Sequence, residues 1–145
     1  AQAVLAEAYA LLMERANRLD DEATRRLYLE NVAENRAVVE AYRRQTQKTV
    51  RLPRADAPLR RALRADEYVN VTWTVAAPED EAVPGKSARR QHRLLRLLEE
   101  AAAQGAAPTV DDLAAALDVS IATLKRDLET LRRAGKPVQT RGSPK

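Results

Sequence analysis

The chain has 145 residues, carries a formal net charge of +4 and contains no cysteine. The lack of cysteine excludes a disulfide scaffold and thiolate metal sites. No stretch approaches the ~18 consecutive apolar residues of a membrane span, and charged residues interrupt the N-terminal apolar stretch, which argues against a signal peptide. We therefore expect a cytoplasmic, bacterial protein with no membrane partner. Because Ala1 already lies inside an apolar periodic pattern, we also expect a piece of a longer protein.

Residues 1–45 are predicted to form three short antiparallel helices. Apolar side chains at helical spacing predict the first helix over 2–19, and a capping-box pattern at 31–34 predicts the start of the third. The stretch 25–36 is similar to segments that end tetratricopeptide-type arrays in large bacterial signalling ATPases. That resemblance implies a repeat-end segment joined to upstream sensor or ATPase domains of the same protein. An unrelated helical hairpin is the alternative.

Residues 46–67 contain two prolines and no sustained period, so they are predicted to be a linker. Residues 68–75 alternate apolar and polar side chains and are mostly β-branched or aromatic, which predicts a strand. A single strand cannot stand alone, and we expect this one to pair with 138–141. Trp73 lies on the apolar face of the strand and is expected to anchor the core.

The C-terminal part of the chain is predicted to contain three further helices. The first covers 87–104, and a capping box at 109–112 begins a second helix of about eight residues. A turn at 118–120 leads into the third helix, 121–134, which Gly135 ends. The start of the first helix is expected to expose Lys86, Arg89, Arg90, Arg93 and Arg96. A short helix, a tight turn and a longer helix are typical of a helix-turn-helix.

The motifs in this helix pair are specific. Residues 113–114 are a Leu-Ala pair, and residues 119–128 read Val-Ser-Ile-Ala-Thr-Leu-Lys-Arg-Asp-Leu. The combination closely resembles the winged helix-turn-helix of DeoR-type bacterial regulators, over about 87–142. That resemblance implies that helix 121–134 is a recognition helix that docks in the major groove of DNA, while the preceding helix crosses the backbone.

The same resemblance implies roles at the matching positions. Hydroxyl groups at the start of the recognition helix would contact phosphates, and its cations would contact phosphates or base edges. Cations at its end and in the wing would contact the backbone, and Asp127 would orient a basic side chain internally. The predicted DNA-binding residues are Ser120, Ala122, Thr123, Lys125, Arg126, Arg132, Arg133 and Arg141.

The distribution of charge agrees with this interpretation. Residues 119–145 carry seven basic and two acidic side chains, whereas 1–46 and 47–118 are close to neutral. Basic charge concentrated in one segment is expected of a nucleic-acid-binding surface. Ile121 and Ala122 cannot hydrogen-bond a base edge, however. They favour the alternative of a protein–protein interaction or oligomerisation adaptor, including a homodimer, because a fold does not fix a function.

Catalytic chemistry has no support in the sequence. No acid pair, glycine-rich phosphate loop or nucleophile–base arrangement is visible. His92 is expected to be a surface or structural residue, and 79–81 a solvated acidic loop rather than a metal site. We therefore expect a protein that is not an enzyme and has no cofactor and no metal.

Together these patterns predict a mainly α fold with a small β element. Its three parts are a helical repeat-end segment at 1–45, a linker at 46–67, and a winged helix-turn-helix with an N-terminal strand at 68–145. The predicted function is a DNA-binding, transcription-regulator-like module of a larger bacterial regulatory or signalling protein. Its expected partners are double-stranded DNA and the upstream domains.

Overall fold

The computed structural model describes residues 2–142, and the chain divides into two compact units at the boundary between Thr46 and Gln47. The described residues form six α-helices and one two-stranded antiparallel sheet, so the expectation of a mainly α fold with a small β element is confirmed. The elements are α1 (Gln2–Asn17), α2 (Glu22–Asn31), α3 (Ala33–Thr46), β1 (Gln47–Pro53), β2 (Tyr68–Thr74), α4 (Lys86–Ala103), α5 (Val110–Leu117) and α6 (Ile121–Arg133). Within 2–142, no helix has both the length and the apolar character needed to cross a bilayer.

The first unit is a bundle of α1, α2 and α3, each of which contacts the other two. Leu12 and Val39 are buried in this bundle. The rings of Tyr9 and Tyr42 stack with their centroids 3.9 Å apart, which joins α1 to α3. Asp21 is the N-cap of α2, and its carboxylate accepts hydrogen bonds from backbone N–H groups in the first turn.

The second unit begins with a strand that the sequence pattern did not predict. β1 pairs with β2 in antiparallel register, from Gln47 opposite Thr74 to Pro53 opposite Tyr68. The prediction that 46–67 is only a linker is therefore wrong for the residues of β1. The alternation of apolar and polar residues in β1 is short. It consists of half-buried Val50, exposed Arg51 and buried Leu52, directly before Pro53.

The expected pairing of β2 with 138–141 is also wrong, because β2 pairs with β1 in a two-stranded sheet and residues 138–141 form no strand. The C-terminal segment, residues 136–142, lies beside the loop between α4 and α5 instead. In this loop the carbonyl of Pro108 accepts a hydrogen bond from the N–H of Arg141 at 2.8 Å. The N–H of Ala107 donates to the carbonyl of Pro53 at 3.0 Å, so the loop connects the end of β1 to the C-terminal segment.

One apolar core holds the second unit together. The indole N–H of Trp73 donates a hydrogen bond to the carbonyl of Leu97 at 2.9 Å, and the ring is buried, which confirms the prediction of a core anchor. The buried core residues include Leu52, Val71, Trp73, Leu94, Leu97, Leu98, Leu113, Leu117, Leu124, Leu128, Leu131 and Val138. This core receives side chains from the sheet and from all three helices of the second unit. One face of α6 is therefore buried in it, and the other face is exposed to solvent.

Candidate nucleic-acid interface

The α5–α6 pair has the caps and the turn that the sequence predicts. The Thr109 hydroxyl accepts a hydrogen bond from the N–H of Asp112 at 3.1 Å, and the Asp112 carboxylate accepts one from the N–H of Thr109 at 2.9 Å. Asp118 ends α5 in the left-handed region, with φ of 54°. Ser120 then caps α6 by accepting a hydrogen bond from the N–H of Thr123 at 3.2 Å. The turn at 118–120 therefore joins two helices whose adjoining ends are both defined.

The two faces of α6 differ in character. Its buried face consists of Leu124, Asp127, Leu128 and Leu131. Its exposed residues are Ile121, Ala122, Lys125, Arg126, Glu129, Thr130, Arg132 and Arg133. Because residues three and four apart lie on the same side of a helix, the exposed residues form one continuous surface along α6.

A buried ion pair fixes α6 against α4. The guanidinium of Arg90 donates two hydrogen bonds to the Asp127 carboxylate, and the side-chain amide of Gln91 donates a third at 3.1 Å. This confirms the prediction that Asp127 is an internal partner of a basic side chain. The hydrogen bond to Asp127 raises the pKa of Arg90 above its ordinary value. The outer face of α6 is therefore held in one orientation by a satisfied polar contact.

The arginines at the start of α4 are not part of the exposed basic surface. Arg89, Arg93 and Arg96 are half-buried, and their guanidinium groups donate to backbone carbonyls in or after β2. The expectation that these arginines and Arg90 are exposed is wrong, whereas Lys86 is exposed. The sequence pattern of α4 could not show this burial, because the carbonyls that accept these hydrogen bonds belong to another part of the chain.

Asp80 is the main acidic partner of these arginines. Its carboxylate is buried and accepts hydrogen bonds from Arg96 at 2.6 and 2.9 Å, with the Nε2 atom of His92 3.6 Å away. Burial favours a raised pKa for Asp80, but the guanidinium of Arg96 and the N–H of Ala77 outweigh it and hold the pKa below its ordinary value. The prediction of a solvated loop at 79–81 is therefore wrong for Asp80, which is a structural anion.

Glu100 of α4 and the C-cap residue of this helix, Gln104, cover the free edge of β2. The Gln104 amide accepts a hydrogen bond from the N–H of Thr72 at 2.9 Å and donates one to its carbonyl at 3.0 Å. The Glu100 carboxylate accepts from the N–H of Thr74 at 2.8 Å. These contacts satisfy the backbone groups that an edge strand otherwise leaves unpaired. A two-stranded sheet is thereby closed on one side by a helix.

The structure brings most of the predicted DNA-binding residues to the exposed face of α6. Lys125 and Arg126 are exposed, and within 2–142 neither makes an ion pair. The Ser120 hydroxyl donates to the Thr123 hydroxyl at 3.0 Å, so both lie at the N-terminal end of the helix. Ala122 is exposed beside them. The N-cap and the first two turns of α6 thus contain the hydroxyls of Ser120 and Thr123, exposed Ala122, and the cations of Lys125 and Arg126.

The remaining predicted residues already have partners. Arg132 and Arg133 both contact the Glu129 carboxylate, at 3.0 and 3.1 Å. Arg141 is half-buried, and its guanidinium donates to the carbonyls of Ala57 and Pro58, which ties the C-terminal segment to the loop after β1. A DNA contact of Arg141 stays a prediction, and the structure gives this side chain an internal role.

A groove of about 390 Å³ lies beside the basic part of α6. The start of α5, the exposed side of α6 and residues 140–142 line it. Lys125, Arg132 and Arg141 contribute three cations to its lining, and Glu129 contributes one carboxylate. The groove therefore extends the cationic surface of α6 towards the C-terminal segment.

Comparison with known proteins places this chain in a family. The model of the family described as "protein of unknown function (DUF1670)" matches residues 16–145, nearly the whole chain, and the chain belongs to that family. No curated protein and no solved structure matches it. The family description names no activity, so a functional proposal has to rest on the geometry of the candidate interface.

Proposed function

We propose that residues 87–142 form a winged helix-turn-helix that binds double-stranded DNA, with α6 as the recognition helix in the major groove. One observation carries the proposal: Lys125 and Arg126 are exposed and free of ion pairs within the described residues 2–142, and they lie within two turns of the capping hydroxyl of Ser120. Cations, hydroxyls and the N-terminus of a helix are the groups that contact DNA phosphates. The motif likeness to DeoR-type regulators supports the same assignment.

The way in which α6 is fixed to the rest of the second unit also supports a docking role. Its inner face belongs to the core shared with α4 and α5, and the Asp127–Arg90 pair fixes its orientation. A binding element held in this way loses little conformational entropy when it docks. We assign the wing of the proposed module to the segment 136–142, in which Arg141 donates hydrogen bonds to the carbonyls of Ala57 and Pro58.

The charges on the outer face favour a polyanionic partner. The end of α6 contributes Arg132 and Arg133, which share the single carboxylate of Glu129. Exposed ion pairs of this kind contribute only about 0–1 kcal/mol, so a phosphate can replace Glu129 at little cost. Together with Lys125 and Arg126, the face offers four cations to the phosphates on either side of the groove.

We propose that the first unit is the end of a tetratricopeptide-like repeat region and connects the DNA-binding module to upstream sensor or ATPase domains. Its three short helices and their packing as a small bundle support this role. In this proposal the protein is a bacterial, cytoplasmic regulator of transcription rather than an enzyme.

A second candidate function is a protein-interaction or oligomerisation adaptor, including a homodimer. The observation that favours it is Ile121, which is 45% exposed at the start of α6. In the adaptor, Ile121 lies at the centre of the contact, because the buried centres of protein interfaces are depleted in charged residues. In this case Lys125 and Arg126 would lie at the rim of the contact, and the chain would associate without DNA.

Fluorescence anisotropy with a labelled random-sequence duplex separates the two functions. We expect the wild-type chain to bind at low salt and the variant Lys125→Ala/Arg126→Ala to bind roughly tenfold more weakly. The matched control, Arg43→Ala/Arg44→Ala, removes the same charge from exposed positions of α3 and is expected to bind like the wild type. No binding by the wild type, or an equal loss in both variants, would contradict the proposal and favour the adaptor.

A further inference from the structure

Ile121 places an apolar side chain at the start of α6. It is the first residue of α6 and 45% of its surface is exposed, with the exposed Ala122 beside it. A β-branched residue has no advantage in helix formation at an exposed site. The exposed part of the Ile121 side chain is therefore available to a partner.

The surroundings of Ile121 identify the chemistry of that partner. Lys125 follows Ile121 by four residues and Arg126 follows Ala122 by four, so an apolar pair and a cationic pair lie one turn apart on the same side of α6. An apolar protein surface laid over this face would bury two cations without counter-charges, which is costly. A polyanion that also presents small apolar groups is complementary to both pairs.

Duplex DNA presents such groups in its major groove. The apolar group on the base edges there is the 5-methyl group of thymine. The N-terminal residues of a recognition helix are the ones that reach base edges, whereas cations along the helix also contact phosphates. Ile121 and Ala122 have no hydrogen-bonding side-chain atoms, so they distinguish bases by apolar contact alone.

We propose that Ile121 and Ala122 contact thymine 5-methyl groups in the major groove, and that this contact gives the module a preference for thymine at the positions under the start of α6. The inference rests on the proposed DNA binding and names the base feature that the same helix recognises. The cations set the affinity for any duplex, and the apolar pair sets the preference among duplexes.

The test uses one fixed duplex made only of A·T pairs in non-repeating order, prepared with either thymidine or deoxyuridine in both strands. The two duplexes differ only in the methyl groups. We expect the wild-type chain to bind the thymidine duplex more tightly, by about fourfold for each methyl group that becomes buried.

Three variants assign that difference to residues. We expect Ile121→Ser to lose most of the preference, with Ala122 accounting for the remainder, and Ile121→Val, which keeps a branched apolar side chain, to retain it. A preference that Ile121→Ser leaves intact would overturn the assignment to Ile121. Lys125→Ala/Arg126→Ala should weaken binding to both duplexes by the same factor and keep their ratio. Far-UV circular dichroism checks that each variant is folded, and equal binding of the two duplexes by the wild type would refute the thymine contact without any variant.

The possible failures are distinguishable. If the wild type binds both duplexes equally while Lys125→Ala/Arg126→Ala weakens both, the thymine contact is refuted and the proposed DNA binding stands. If the wild type binds neither duplex, the proposed function fails and this inference fails with it. If sedimentation shows a dimer that Ile121→Ser converts to a monomer, the apolar pair is a contact between two copies, which also overturns the inference.

Discussion

Arg90 of α4 and Asp127 of α6 form a buried ion pair that holds the candidate recognition helix in place. The Asp127 side chain is only 5% exposed, and it receives hydrogen bonds from both Arg90 and Gln91. Breaking a pair of this kind is costly because the remaining charge stays partly buried. The exposed face of α6 therefore owes its orientation to a contact on the opposite side of the helix.

We expect Asp127→Asn to destabilise the second unit by about 2 kcal/mol, since the Arg90 guanidinium loses its counter-charge in a largely buried position. The free energy of unfolding from urea titration measures the loss. Asp111→Asn is the matched control, because Asp111 is an exposed residue of α5 and its replacement is expected to cost less than about 0.5 kcal/mol. Equal stabilities of the two variants would show that the Arg90–Asp127 pair does not fix α6.

The contact between Gln104 and β2 predicts a change at single-residue resolution. In Gln104→Ala the N–H of Thr72 loses its acceptor, so its hydrogen exchange is expected to become about fivefold to tenfold faster. The N–H of Thr74 keeps its bond to Glu100 and is expected to stay protected. Amide exchange followed by NMR measures both residues. Glu99→Ala, at an exposed position of α4, is the control and should change neither amide.

Asp80 predicts how stability responds to acid. Its pKa is lower in the folded protein than the ordinary value of about 4, so the unfolded chain takes up the proton first as the pH falls. The stability that ionised Asp80 contributes is therefore present at neutral pH and is lost progressively as the pH falls below about 5. We expect the difference in unfolding free energy between the wild type and Asp80→Asn to shrink between about pH 5 and about pH 3. A constant difference over that range would contradict the role given to Asp80.

Arg141 and Arg126 are predicted to act differently although both are arginines in the predicted DNA-binding set. Arg141 donates to the carbonyls of Ala57 and Pro58, so Arg141→Ala should lower thermal stability and change the salt dependence of duplex binding little. Arg126 is exposed, and Arg126→Ala should make the slope of log K against log salt less negative by about 0.9, with little effect on stability. The opposite pattern would show that Arg141 is the phosphate contact.

Local signals in the sequence predicted the helix pair well. The capping box at 109–112, the turn at 118–120 and the N-cap Ser120 are all observed, and α6 ends within one residue of the predicted end. These features depend on residues within one turn of each other, so a single sequence contains the information. The burial of Trp73 followed in the same way from the alternation of its strand.

Features that depend on distant partners could not be predicted. β1 has a short alternation that ends at Pro53, and its assignment as a strand requires knowing that β2 lies beside it. The α4 arginines resemble a solvated helix start in sequence, but they bind Asp80 and carbonyls at the end of β2 and just after it, which packing brings close. Gln104 and Glu100 were missed for the same reason, although their spacing of four residues on a helix beside a strand was a usable signal.

The most direct test of the central proposal is the salt dependence of duplex binding by the 145-residue chain. With about four cations on α6 in contact with phosphates, log K should fall with log salt at a slope of roughly −4, and Lys125→Ala/Arg126→Ala should reduce that slope to roughly −2. Arg43→Ala/Arg44→Ala should leave it unchanged. Binding that is absent at low salt, or a slope that the α6 variant does not alter, would contradict the assignment of α6 as a DNA-binding helix.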